Sequence, residues 1–249
     1  EAEAVMATIE KQKITLSNLI PTMLNLMIKH PRVREYDFSS LREILSGGAP
    51  IAPELVRSIM ETLGCDYIQT YGMTETSPYL TFSILKDHLK ALPPDDQLKI
   101  KSKTGRPAIG VDLKVVDESG MPIAADEQQV GEIWVRGDTV TPGYWNRPEE
   151  TANAFSEGWL HTGDLATLDP EGYVNIVDRK KDMIVTGGEN VYSTEVENVL
   201  YMHPAILEAA VFGVPDERWG EAVNAAVVLK TGETATEDEI IAFCKEQQA

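Results

Sequence analysis

The 249-residue chain is 43% hydrophobic and 25% charged, the balance of a water-soluble globular protein long enough to bury a substantial core. Forty acidic against 22 basic residues leave a net charge of −18, a field that repels nucleic acid and that no basic stripe reverses. No apolar run approaches a membrane span, and Glu1-Ala2-Glu3-Ala4 lacks the basic and apolar regions of a signal peptide, so a cytoplasmic protein without a transmembrane segment is expected.

The first hundred residues alternate short apolar strands with helices. Lys13–Ile20 reads as a strand, and Pro21 opens a helix ending near His30. Leu41–Leu45 is a second strand, running into Ser46-Gly47-Gly48-Ala49-Pro50. Pro53 then opens a helix with Leu55, Val56, Ile59, Met60 and Leu63 on one face, stopped by Gly64. Cys65–Tyr71 is the next strand. This alternation predicts parallel pairing, with ligand loops at the carboxyl ends of the strands, where Gly47-Gly48 and Tyr71 both lie. From Thr104 the texture changes to short β segments, Val111–Val116, Gly131–Arg136, Leu165–Leu168 and Tyr173–Val177, separated by Gly, Pro and Asp turns. They predict a small antiparallel sheet or barrel. After Asp182 the pattern is mixed. Thr194 and Glu197 read as a capping-box pair, followed by strands Ala209–Phe212 and Ala222–Leu229 and a helix from about Glu237. Cys65 and Cys244 have neither C-x-x-C spacing nor histidine neighbours, which predicts reduced thiols.

Three blocks concentrate the chemistry. Gln69-Thr70-Tyr71-Gly72-Met73-Thr74-Glu75-Thr76-Ser77-Pro78 combines a ring, a glycine, hydroxyls and a carboxylate. Tyr71 is either a platform for a base or an ordinary strand-end aromatic. Gly72 permits close backbone approach. Thr74 is a phosphate donor or a helix N-cap, and Glu75 is a hard oxygen ligand of the kind Mg²⁺ takes or a solvated carboxylate. In Gly158-Trp159-Leu160-His161-Thr162-Gly163-Asp164, Asp164 reads as part of a Thr-Gly-Asp turn, able to accept ribose hydroxyls or to form an Asx turn. His161 lacks a serine or cysteine nucleophile motif and reads as structural. The third block is Asp178-Arg179-Lys180-Lys181-Asp182, a charged, poorly apolar stretch suited to a domain boundary.

In order and spacing these blocks resemble the adenylate-forming (AMP-binding) superfamily, in its fatty-acyl-CoA ligase branch. The resemblance implies an α/β fold: the rear of a large domain, with a parallel α/β part at 1–103 and a β-barrel subdomain at 104–178. A hinge at 179–182 and an incomplete α+β C-terminal domain at 183–249 follow. It implies ATP or AMP, Mg²⁺ and CoA as ligands, with a small carboxylic acid as substrate. Gly47, Gly48, Ala49, Tyr71, Gly72, Thr74, Asp164, Ile176 and Arg179 would bind nucleotide, Glu75 the metal, and Lys181 would be the hinge. Gly187, Gly188, Glu189 and Trp219 would meet CoA. Catalysis would rest on Thr74, Glu75 and the movement at Lys181. The family's lysine-bearing phosphate loop and its C-terminal Pro-x-Thr-x-x-Gly-Lys segment do not occur in the 249 residues, which predicts a nearly inactive piece of a ligase. The stretches Gly187–Tyr192 and Asp216–Glu221 favour a CoA ligase over a carrier-protein-loading or luciferase-like enzyme, or a non-catalytic nucleotide-binding module.

Overall fold

The computed structural model describes residues 2–247. The opening helix α1 (Ala2–Gln12) buries Met6 and Ile9, a spacing of three that puts both on one face. Strand β1 (Leu16–Asn18) is shorter than the apolar run suggests. Helix α2 (Pro21–Ile28) starts at Pro21 and buries Leu24 and Met27, and Pro31 lies just beyond its end. Strand β2 (Glu43–Gly47) alternates half-buried and buried residues. Helix α3 (Pro53–Leu63) buries Val56, Ile59 and Leu63, and the Gly64 N–H closes it on the Met60 carbonyl at 2.9 Å. Strand β3 (Asp66–Gly72) and strand β4 (Tyr79–Phe82) follow, then a polar helix α4 (Pro94–Ser102) and the two-residue strand β5 (Arg106–Pro107). These strands form one sheet in the order β1-β2-β3-β4-β5. The pairs β1/β2 and β2/β3 are parallel; β3/β4 and β4/β5 are antiparallel. The parallel half matches the strand–helix–strand reading. Its helices close over a core that includes Met6, Leu24, Ile44, Ile59 and Tyr67, each buried side chain contributing about 1.5–3 kcal/mol of burial free energy.

Strands β6 (Val111–Val116) and β7 (Gly131–Gly137) pair antiparallel in register Val111 to Gly137. After helix α5 (Pro148–Ala154), strand β8 (Phe155–Ser156) and the longer strands β9 (Trp159–Leu168) and β10 (Val174–Arg179) complete a second sheet. Its order is β10-β9-β7-β6, with β8 against β9. Among the described residues this sheet is open, so the expected barrel is corrected to an open antiparallel sheet. Closure needs mutually consistent strand number, tilt and shear. Here neither end strand is free for the other: Val116 in β6 bridges Pro122 and Val174 in β10 bridges Gly105.

The third sheet is wholly antiparallel, in the order β12-β11-β14-β13. It comprises β11 (Ile184–Thr186), β12 (Glu189–Val191), β13 (Ile206–Asp216) and β14 (Gly220–Leu229). Helix α6 (Ser193–Met202) precedes β13 and helix α7 (Glu237–Gln247) ends the fold. Ile184, Leu200, Ile206 and Val211 form the buried centre. The predicted capping box of α6 does not form. Tyr192 occupies the N-cap without a side-chain bond, because Thr194 Oγ1 donates to the Val177 carbonyl and Glu197 Oε1 accepts from the Val211 N–H.

The chain divides into two compact units. One comprises the residues up to Thr162 with Thr167–Ile176; the other comprises Gly163–Ala166 and the residues from Val177 on. No helix among the described residues is long and apolar enough to cross a membrane. Both cysteines are free thiols, and burial pushes that of Cys65 up to about 11.

Candidate nucleotide and coenzyme site

In the first unit the adjacent parallel strands β2 and β3 deliver two loops to one sheet edge. Gly47 pairs with Thr70 in register, so the Gly48-Ala49 loop leaves the sheet beside Tyr71-Gly72, the last residues of β3, which pair on to Thr81 and Tyr79 of β4. Two side-chain bonds tie the end of β2 and its loop to β3. Thr70 Oγ1 donates to the Ser46 carbonyl at 3.0 Å, and Gln69 Nε2 donates to the Ala49 carbonyl at 2.8 Å. This is the placement expected of ligand loops at carboxyl strand ends. Tyr71 is half-buried at the end of β3. The close approach that Gly72 permits is to the chain itself: a Cβ there would lie 1.7 Å from the Pro78 carbonyl oxygen. Ile176, in β10, is half-buried in the same unit, and its N–H donates to Thr104 Oγ1 at 3.0 Å.

Thr74-Glu75-Thr76 is a single 3₁₀ turn. Thr74 is not its N-cap; Met73 is, and the Thr74 side chain is exposed. Buried Thr76 fastens the turn, its hydroxyl oxygen accepting from the Met73 N–H at 3.0 Å and donating to the Pro78 carbonyl at 2.7 Å. Glu75 is held twice by one distant segment. Its carbonyl accepts from the Thr141 N–H at 2.7 Å, and its Oε1 accepts from the Tyr144 hydroxyl at 3.0 Å. Burial, and then the Glu75 carboxylate, raise the Tyr144 phenol above its ordinary pKa, so it stays a donor. Nothing in the sequence marks Tyr144, which lies 69 positions from its partner.

Among the described residues no three His, Cys, Asp or Glu side chains gather into a metal cage. Mg²⁺ does not need one, since it is commonly held by one or two carboxylates with substrate phosphates and waters. A single half-buried glutamate on a fastened turn beside an exposed threonine fits that requirement.

The second unit carries Asp164 and Arg179. Asp164 is not in a turn but within β9, because the backbone stays in the ladder there, the Gly163 carbonyl accepting from the Lys180 N–H at 2.8 Å. Arg179 Nε stands 3.7 Å from Asp164 Oδ1; the arginine side chain is 65% exposed and the aspartate only 16%, leaving the guanidinium open to a ligand. The next turn carries exposed Lys181 and is closed by the Asp182 and Met183 N–H groups on the Arg179 carbonyl. Gly187 and Gly188 form the two-residue connection of the β11/β12 hairpin, with φ of 61° and 87°. Positive φ at both positions is what a primed hairpin turn demands. Glu189 pairs with Thr186 across it and is exposed. Trp219 lies against this turn: the Gly187 N–H donates to its carbonyl at 2.8 Å, and a Cβ on Gly187 would meet its ring at 3.0 Å. Trp219 is 49% exposed, and its ring already carries the Arg218 guanidinium at 4.5 Å. His161, in the first unit, stacks on Trp134 with ring centroids 4.0 Å apart.

Comparison with known proteins gives these placements a context. The profile of the AMP-binding enzyme family matches residues 1–145, and that of the AMP-binding enzyme C-terminal domain matches residues 195–249. A feruloyl-CoA synthase of Amycolatopsis is 41% identical over 99% of this chain and 48% of its own length. The medium/long-chain-fatty-acid–CoA ligase FadD8 of Mycobacterium tuberculosis is 42% identical over 98% of this chain and 41% of its own. Among solved structures, the amide bond synthetase McbA of Marinactinospora thermotolerans superposes with a TM-score of 0.84 at 37% identity, covering 99% of this chain and 48% of McbA. The o-succinylbenzoate CoA synthetase of Bacillus subtilis, solved with its acyl-adenylate intermediate, gives 0.84 at 33% identity over 100% of this chain and 48% of that one. The chain spans about half the length of the curated relatives it matches. It belongs to the AMP-binding enzyme family, and the curated relatives named here are acyl-CoA ligases.

Proposed function

We propose that this chain supplies nucleotide- and coenzyme-binding parts of an ATP-dependent acyl-CoA ligase, an acid–thiol ligase that activates a carboxylic acid, a fatty acid first among the candidates, as acyl-AMP and passes the acyl group to CoA. The observation that carries the reading is the loop after β2, tied by Gln69 to the adjacent strand β3, whose end is followed directly by the Thr74-Glu75 turn. In the first half-reaction a carboxylate oxygen attacks the α-phosphorus of ATP, a P–O bond forms, and pyrophosphate leaves. In the second the CoA thiolate attacks the acyl carbon and AMP leaves with the electron pair. Such phosphoryl chemistry is mostly positioning plus charge stabilisation.

Roles are assigned separately in each unit. In the first, Tyr71 offers its ring to the base, with Gly47, Gly48, Ala49, Gly72 and Ile176 around it; Thr74 donates to a phosphate oxygen and Glu75 is the metal ligand. Bound Mg²⁺ would supply positive charge against the phosphate oxygens. In the second, Asp164 accepts from ribose hydroxyls and Arg179 contacts ribose or phosphate. Lys181 is proposed as the pivot in a hinge at 179–182, between domain parts at 1–103 and 104–178 and a C-terminal domain from 183. Gly187, Gly188, Glu189 and Trp219 are proposed to receive CoA.

The test uses the full-length protein with a panel of fatty and aromatic acids. Acid-dependent exchange of pyrophosphate into ATP, followed by CoA thioester formation, is the expected result. Tight AMP binding with no exchange on any acid would replace the ligase by a nucleotide-binding module.

A further inference from the structure

Half-buried Glu75 is held at both its backbone and its side chain, and both constraints come from one place. The Thr141 N–H holds its carbonyl and the Tyr144 hydroxyl holds its carboxylate. The holding segment is itself pinned. The Tyr144 N–H donates to Thr151 Oγ1 at 2.9 Å, that hydroxyl donates to the Arg147 carbonyl at 2.7 Å, and the Arg147 N–H donates to the Tyr144 carbonyl at 3.2 Å. The loop from Thr141 to Arg147 is thus stapled to the first turn of α5, and the phenol projects from a fixed backbone. From the other side Thr76 fastens the same 3₁₀ turn to Met73 and Pro78.

A glutamate has three side-chain torsions, so presenting it to a cation costs rotamer entropy unless something has already spent it. A neutral phenol is suited to that task. It donates one hydrogen bond to one carboxylate oxygen and leaves the group's charge and remaining lone pairs in place. A lysine or arginine there would neutralise the carboxylate and compete with the metal.

We propose that Tyr144 is a positioning residue for a divalent cation at Glu75: its hydroxyl fixes one carboxylate oxygen and so preorganises the ligand, without touching metal or substrate itself. The inference rests on the reading of Glu75 as the metal ligand. Outer-shell partners of metal-binding carboxylates carry about 10–100-fold in metal affinity.

The test uses the full-length protein with a non-hydrolysable ATP analogue, and follows Mn²⁺ binding to that complex by electron paramagnetic resonance. Affinity for AMP is measured in parallel with the metal chelated. Tyr144→Phe is expected to weaken Mn²⁺ binding about 10-fold or more, with metal-free AMP affinity unchanged. In a double-mutant cycle Tyr144→Phe should add nothing to Glu75→Gln, because once the anionic ligand is gone its positioning no longer affects the metal. Wild-type Mn²⁺ affinity in Tyr144→Phe, with weakened binding in Glu75→Gln, would overturn the positioning role and leave the ligase reading intact. Unchanged Mn²⁺ affinity in Glu75→Gln would overturn both. Equal losses of Mn²⁺ and AMP affinity in Tyr144→Phe would also overturn the proposal, since they signal a general collapse of the loop. Should Tyr144→Phe fold poorly, Thr151→Val, which unpins the loop and keeps the phenol, is expected to give a smaller selective Mn²⁺ loss, and no loss would count against the proposal.

Discussion

A crowded backbone contact and a half-buried carboxylate make different demands on a side chain, and Gly72 and Asp164 illustrate both. At Gly72 there is no room: a Cβ would sit 1.7 Å from the Pro78 oxygen and 2.6 Å from its carbon, so the β3/β4 connection must shift to admit one. Gly72→Ala is expected to destabilise the protein by about 1–3 kcal/mol, the range of overpacked sites, as read by denaturant titration. An unchanged midpoint would show that the connection yields freely. Asp164 has the opposite character. Its carboxylate faces an exposed guanidinium at 3.7 Å, a distance that leaves room for a ligand hydroxyl to compete. In the full-length protein Asp164→Ala should weaken AMP binding by about 1.5–3 kcal/mol, the scale of hydrogen bonds to a charged group. Calorimetry giving wild-type affinity would remove Asp164 from the ribose. For Glu75, Glu75→Gln should depress metal-dependent pyrophosphate exchange far more than AMP affinity, because it removes the anionic ligand and keeps the shape.

Elements built on clear periodicity were legible, and those built on long-range partners were not. Pro53, the apolar stripe at Val56, Ile59 and Leu63, and Gly64 together define α3 with the bounds observed. The polar helix α4 has no such stripe; it buries little beyond Leu98 and the aliphatic stem of Lys101, whose ammonium reaches Asp66 at 2.5 Å. It went unread, as did α1 and α5. At α6 a local rule gave the wrong answer, since Thr194 and Glu197 spend their oxygens on other strands rather than on their own helix end. What anchors that end is Asp178, a buried carboxylate that accepts from both the N–H and the hydroxyl of Ser193. No pattern in the sequence pairs 178 with 193. Ser193→Ala should cost about 1.5–3 kcal/mol, because it strips a donor from a buried charge. A guanidinium titration following the second unit, through Trp219 fluorescence, would measure it, and a loss below a few tenths of a kcal/mol would mean water replaces the hydroxyl. The candidate site divides the same way. Motif spacing nominated Tyr71, Thr74, Glu75, Asp164 and Arg179 as candidates, whereas Tyr144 joins Glu75 only through folding.

For the molecule as a whole, the turn at 179–183 is where the proposed pivot lies. Proline at 181 fixes φ near −65° and pushes Lys180 toward extended backbone, while Lys180 must keep its N–H on Gly163. If the backbone pivots at Lys181 between half-reactions, Lys181→Pro in the full-length protein should leave pyrophosphate exchange close to normal and cripple thioester formation from preformed acyl-AMP. Equal small losses in both steps, in a variant that melts normally, would place the pivot elsewhere. The same turn has a consequence for protease sensitivity. Arg179, Lys180 and Lys181 are three consecutive exposed tryptic sites, yet a protease needs an extended strand, and the Lys180 and Asp182 N–H groups are both engaged. Cutting must wait for the turn to open, so when reclosing outpaces cleavage the rate reads the open population. A nucleotide held by Asp164 and Arg179 would therefore slow nicking in proportion to its occupancy, giving the protein a label-free gauge of bound ligand.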